Sequence, residues 1–216
     1  MKATKIFSLL SFSLLIFACY VDVYETGKSS SSYYYSEPAP SYNSSSSSQT
    51  IVPQSDSLHC EKHSYKIIKM GLQMWTAQNL NEIPKSGASW CYGNFDENCN
   101  IHGYGRLYDW EAAMSICSAC DGGWRLPTKE DFDELLNWDV EDLIRTSVWH
   151  AVYAGYRHND ESIGFRFKDR YGDWWSSSVG GKGNRPYYYE LEIGGNQMHR
   201  YDQEKNFGFS VRCIKK

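Results

Sequence analysis

The chain has 216 residues and a formal net charge of −4, from 22 Lys and Arg against 26 Asp and Glu. That length holds one mid-sized domain with appendages. The lack of a basic excess argues against nucleic acid as a partner, and 16% aromatic with 41% hydrophobic residues excludes a wholly disordered chain.

Met1 to Lys5 carries two lysines, and Ile6 to Ala18 is apolar apart from three serines. The run is too short to span a bilayer and has the charged start and apolar centre of a secretory signal. Its end, Ile16-Phe17-Ala18-Cys19, resembles a bacterial lipobox, although Phe17 is an unusual residue there. The resemblance implies that residues 1–18 are removed and that Cys19 is lipidated as the mature N-terminus. Tyr20 stands where Asp would favour inner-membrane retention, so the expected address is the outer membrane or cell surface. Residues 19–57 read as a flexible tether, with thirteen serines between Ser29 and Ser57 and too little apolar area to order. About forty such residues reach roughly 35 Å.

Residues 58–216 read as one α+β domain. Strands are expected over Tyr65–Met70 and Leu72–Trp75, on either side of Gly71. Leu107, Trp110, Met114 and Cys117 fall on one helical face. Thr128 with Asp131 forms a capping-box pattern for a second helix, with Phe132, Leu135 and Leu136 inward. Short strands follow over Trp149–Ala154, Ile163–Phe167, Asp173–Ser177, Tyr187–Ile193 and Phe207–Ile214. Gly180-Gly181-Lys182-Gly183 has no Ser or Thr after its lysine and reads as a hairpin loop, not a phosphate loop. No internal repeat is visible.

Cys60, Cys91, Cys99, Cys117, Cys120 and Cys213 make an even count in an exported chain, which points to three disulfides. Fifteen pairings are open. The Cys117-Ser118-Ala119-Cys120 spacing is thioredoxin-like, but it follows a helical pattern instead of opening a helix. A four-cysteine zinc site would need a closer first pair than Cys91 and Cys99.

An ordered series of motifs runs through the domain. It comprises Trp75-Thr76-Ala77-Gln78-Asn79-Leu80-Asn81, Ser89-Trp90-Cys91-Tyr92 and Tyr104-Gly105-Arg106-Leu107-Tyr108-Asp109-Trp110. Gly123-Trp124-Arg125-Leu126-Pro127, Ala154-Gly155-Tyr156-Arg157, Trp174-Trp175-Ser176-Ser177 and Gly208-Phe209-Ser210-Val211-Arg212-Cys213 complete it. In this order the motifs resemble the Fibrobacter succinogenes major paralogous domain family over about Tyr65 to Ile214. The resemblance implies a single disulfide-rich C-type lectin-like domain, with two helices, a twisted antiparallel sheet and long loops. It also implies an exported setting and no assigned chemistry. Pairs Cys91–Cys99 and Cys120–Cys213 follow from the resemblance, with Cys60–Cys117 as an added pair; Cys60–Cys213 with Cys117–Cys120 is the rival arrangement.

No catalytic constellation is found among the histidines and cysteines, and no cofactor is implied. The calcium loop motifs of sugar-binding C-type lectins do not occur in the domain. Asp160, Glu161, Asp169 and Asp173 are possible oxygen ligands but read as loop charges. What remains is an aromatic and polar patch from Trp174 or Trp175, Tyr171, Asn184, Arg185, Tyr187, Tyr188, Tyr189, Asn196, His199 and Tyr201. Tyr and Trp offer rigid area suited to sugar faces or protein loops. The competing reading makes these aromatics core and sheet-edge residues. The expected function is a lipid-anchored, non-catalytic surface binding module for a polysaccharide or protein. Its rivals are a structural envelope or matrix protein and an enzyme on a formylglycine-generating-enzyme-like fold.

Overall fold

The computed structural model describes residues 57–145, 148–180 and 182–215. The signal segment 1–18, the lipidation site Cys19 and all of the tether except Ser57 lie outside the described residues.

In chain order the elements begin with β1 (Ser57–His59), β2 (Ser64–Met70) and β3 (Gln73–Thr76). The short β4 (Ser89–Trp90), α1 (Asp96–Asn100) and β5 (Leu107–Tyr108) follow. Next come α2 (Trp110–Ile116), α3 (Lys129–Leu135) and α4 (Val140–Ile144). The remaining strands are β6 (Tyr156–Arg157), β7 (Phe165–Arg166), β8 (Tyr171–Val179), β9 (Pro186–Glu192), β10 (His199–Asp202) and β11 (Ile214–Lys215). They form a four-stranded sheet ordered β1-β2-β3-β11, a three-stranded sheet ordered β10-β9-β8, and two two-stranded pairs. Every named strand pairing is antiparallel. The chain is α+β.

Local chemistry accounts for the helices. Thr128 accepts from the Asp131 amide while the Asp131 carboxylate accepts from the Thr128 amide, so both ends of the capping box close. Asp109 caps α2 through the Ala112 amide. That cap places Leu107 in β5, before the helix begins, and rotates the expected face. Ala112, Ala113 and Ile116 face the core, whereas Met114 is 43% exposed. Leu136, expected inward, follows the end of α3 and is exposed, while Phe132 and Leu135 are buried as expected.

The expected strand Phe207–Ile214 is an extended spine shared among several partners. Gly208 bridges Arg157, Phe209 bridges Tyr108, Ser210 bridges Trp174, and Ile214 pairs with Trp75. No one neighbour runs alongside it, so only its end forms a regular strand. Trp149–Ala154 forms no strand, and β10 was not expected. The hairpin loop between β8 and β9 lies where the glycine run predicts it.

The disulfides are Cys60–Cys120, Cys91–Cys99 and Cys117–Cys213. Cys91–Cys99 agrees with the pairing implied by the family resemblance. Cys120–Cys213 and Cys60–Cys117 are corrected, and so is the rival arrangement. Cys117 continues the buried face of α2 and meets Cys213 in the core, both fully enclosed. Cys120 is extended and leads the chain away along β1, where the Asp121 amide donates to the His59 carbonyl. Three residues of chain direction therefore exchange the partners.

Two apolar clusters fill the domain. Leu58, Tyr108, Ile116, Trp175, Phe209 and Val211 belong to one. Trp75, Phe132, Leu143, Trp149, Trp174 and Tyr189 belong to the other. The β8–β9 pair separates them, because successive side chains along a strand point to opposite faces.

Candidate functional site

The first face of that three-stranded sheet is sealed. Trp174 donates from Nε1 to Asn79 Oδ1 at 2.9 Å, and Arg212 donates from Nε to the same oxygen at 3.1 Å. The Arg212 guanidinium stands 4.1 Å from the Trp149 ring centre and also donates to the Trp149 and His150 carbonyls. Burial lowers its pKa to about 9, so it stays charged at neutral pH. Tyr189 is enclosed, with its hydroxyl 3.0 Å from Asp133 Oδ1 on α3. Trp174 and Tyr189, expected in a ligand-binding patch, are thus core residues. Trp175 on the opposite face is enclosed too and donates to the Tyr108 carbonyl at 2.7 Å. Both faces of β8 are packed, so alternation exposes neither tryptophan.

The second face is different. Asp173 lies directly opposite Glu190, Trp175 opposite Tyr188, and on the far side His199 opposite Glu190 and Tyr201 opposite Tyr188. Two carboxyls thus stand side by side in adjacent strands. Asp173 is completely buried, and neither of its oxygens meets a donor from elsewhere in the described residues. Its hydrogen-bonding neighbour is Glu190. Such a bond needs a proton, and Asp173 holds it: burial, then the Glu190 charge, raises its pKa well above the ordinary value. Burial also raises Glu190, against a lowering by the Asp173 bond.

Above Glu190 the surface opens into a cavity of about 230 Å³. Tyr156, Phe167, Tyr171, Tyr188, Phe207 and Phe209 line it together with Glu190 and Gln203. Tyr188 stacks on Phe209 at 4.3 Å, and Tyr156 lies within about 6 Å of Phe167, Phe207 and Phe209. The walls come from four separated segments, so their positions depend on tight backbone approaches. Gly155, at φ +65°, lies against the backbone of Arg166 to Lys168, where an added Cβ would stand 2.2 Å from the Arg166 carbonyl. Phe167 itself holds φ +61°, a left-handed conformation that is a rare outlier for a bulky residue. Phe167 is 43% exposed and lines the cavity. Strain of this kind, of order 1–3 kcal/mol, gathers at functional positions.

The rest of the expected patch is divided. Tyr187 is covered by Arg200 at 5.2 Å, and Arg185 pairs with Glu204 at 2.9 Å. Tyr201 is exposed, 5.6 Å from Tyr188. Asn184 is exposed in the hairpin loop at φ +58°. Asn196 and His199 line a separate groove of about 760 Å³ between residues 136–143 and 194–200, with Trp138 at its edge. The acidic residues weighed as calcium ligands are scattered. Asp160 caps Ser162, Glu161 pairs with Arg157, Asp169 accepts from Tyr104, and Asp173 lies in the sheet. Among the described residues no group of three or more His, Cys, Asp or Glu is placed to hold a metal.

Sequence reasoning missed Tyr156, Phe167, Phe207, Phe209 and Glu190 as a unit. The legible signal was Asp173 beside two tryptophans in a strand, an ionisable residue where an apolar one was due.

The family model of the Fibrobacter succinogenes major domain matches residues 68–143. That region, about a third of the chain, is similar to the Fibrobacter succinogenes major domain family. It is a surface-type family that is not known as catalytic. Within the matched region, Trp75, Asn79, Tyr108 and Phe132 serve the core, and Cys91–Cys99 closes a loop. The cavity is built from residues 156–209, beyond the match. No curated protein and no solved structure matches the chain.

Proposed function

We propose that this protein is an exported, lipid-anchored binding module, displayed at the cell surface on a C-type lectin-like scaffold, and that it acts without catalysis. Cys19 carries the anchor, and the Ser-rich tether holds the domain clear of the membrane. The ligand is a polysaccharide or another protein. One observation supports this most: an open, aromatic-walled cavity whose inner end is an acid pair, Glu190 half-buried at the cavity and Asp173 buried beneath it. Aromatic walls around a few fixed polar groups are the usual composition of a ligand seat. Asp173 is fully enclosed, and among the described residues Glu190 is the carboxyl that reaches the cavity.

The test is retention of the oxidised full chain on insoluble polysaccharides and on immobilised surface proteins, compared with Tyr188→Ala. Retention lost in that variant supports the reading. Retention lost in Trp138→Ala but kept in Tyr188→Ala moves the seat to the groove. No retention by the unmodified protein on any ligand favours the structural envelope reading. Mass analysis of membrane-extracted protein tests the anchor, and an unmodified Cys19 would remove it.

A further inference from the structure

We infer that the aromatic cavity over Asp173 and Glu190 is a site for an organic cation, an alkylated ammonium head group. This rests on the proposed seat and names the chemistry it takes.

Six of the eight lining residues are aromatic, and the one ionisable carboxyl among them is Glu190. Ring faces are negative, so they attract a cation placed against them, and more strongly when it is desolvated. Elsewhere the molecule supplies such cations itself. Arg157 covers Trp90, Lys168 covers Tyr104 and Lys205 covers Trp110, while among the cavity's own rings Arg170 already meets Tyr171. The other five rings of the cavity differ: among the described residues no Lys or Arg lines the cavity beside them. Arg166, exposed beside Tyr156, is the charge that opposes an incoming cation. His199 faces Glu190 from β10.

The floor asks for the same partner. Asp173 is a completely buried carboxyl that no donor satisfies other than by sharing a proton with Glu190. With the proton on Asp173, Glu190 is the charged member of the pair, and a cation at its end of the cavity supplies the missing counter-charge. An ammonium with methyl groups suits both features, since its carbons face the rings and its charge faces the acid pair. A compact cavity of about 230 Å³ accepts such a head group. A bare metal ion would need several oxygens, and the cavity offers one carboxylate. An anion meets the wrong charge.

The experiment is isothermal titration of the full chain with choline and with its uncharged isostere 3,3-dimethyl-1-butanol. A trimethyl-lysine peptide serves as a third arm. Choline binding roughly tenfold or more tighter than the isostere is expected from the cation term. Glu190→Gln should reduce that difference to the part owed to the rings. Phe167→Gly should lose binding of both compounds while keeping the fold, because glycine accepts the φ that Phe167 strains to hold. Equal binding of choline and isostere would overturn the cation assignment and leave an apolar seat. No binding of choline or peptide also overturns it. In that event, Tyr188-dependent retention on a polymer keeps the binding-module reading, and its absence removes both. Peptide binding as tight as choline assigns a side chain as the source, and choline binding alone assigns a free small molecule.

Discussion

The two faces of the β8–β9–β10 sheet each bury an ionisable group, and they treat it in opposite ways. On one face Arg212 has acceptors at Asn79, Trp149 and His150 and a tryptophan ring against its plane. On the other, Asp173 has a second acid for a neighbour and an open cavity beyond it. A buried charge is tolerated when its hydrogen bonds are met, and a buried acid lacking donors costs stability. The first face reads as structure and the second as a site.

Substitutions on the two faces should separate stability from binding. Trp174→Ala should cost most, about 3–5 kcal/mol in chemical denaturation, because it empties the core and leaves Asn79 short of a donor. A loss under ~1 kcal/mol would mean that this face is looser than it looks. Arg212→Met should cost about 3 kcal/mol, since three acceptors lose their donor at about 1–3 kcal/mol each with partial replacement by water. Tyr188→Ala should cost less, about 1–2 kcal/mol, yet lose ligand retention. If Tyr188→Ala and Trp174→Ala matched in both readouts, the contrast between the faces would fail.

The acid pair sharpens the contrast through pH. The Asp173 pKa is raised in the folded protein, so between its unfolded value of about 4 and its folded value the native state holds more protons. Stability therefore falls as pH rises through that window. Asp173→Asn keeps a donor for Glu190 without a titrating proton, so it should flatten the slope. It should also stabilise the protein at neutral pH by on the order of 1 kcal/mol. A stability that rises with pH in the wild type, with Asp173→Asn unchanged, would refute the proton assignment. Tyr201→Ala, at an exposed ring, should shift stability by no more than about 0.5 kcal/mol.

The helix start at Thr128 was legible because its capping box is local, closed by residues three apart in sequence. The Cys91–Cys99 pair agreed with the family resemblance, and its partners are only eight residues apart. Cys60–Cys120 and Cys117–Cys213 were not legible, since they depend on which way the chain leaves α2. Tyr188 and Trp174 were both expected in the patch; Tyr188 lines the cavity, whereas Trp174 is enclosed in the core. Both lie on strands found in the sequence, and the difference is whether a second cluster covers the face.

The sequence by itself determined the α+β class, the early hairpin about Gly71, the even set of six domain cysteines and the ordered motifs that resemble the family, which the family model matches over residues 68–143. These rest on short-range periodicity, turn chemistry and ordered motifs. Only the tertiary structure decided that Trp174, Trp175 and Tyr189 are core, and that Asp173 meets Glu190 beneath an aromatic cavity. The cavity joins residues 156, 167, 171, 188, 190, 203, 207 and 209. They meet only because β8 and β9 pair while the spine 207–214 crosses them, a long-range closure with no period in the sequence to announce it.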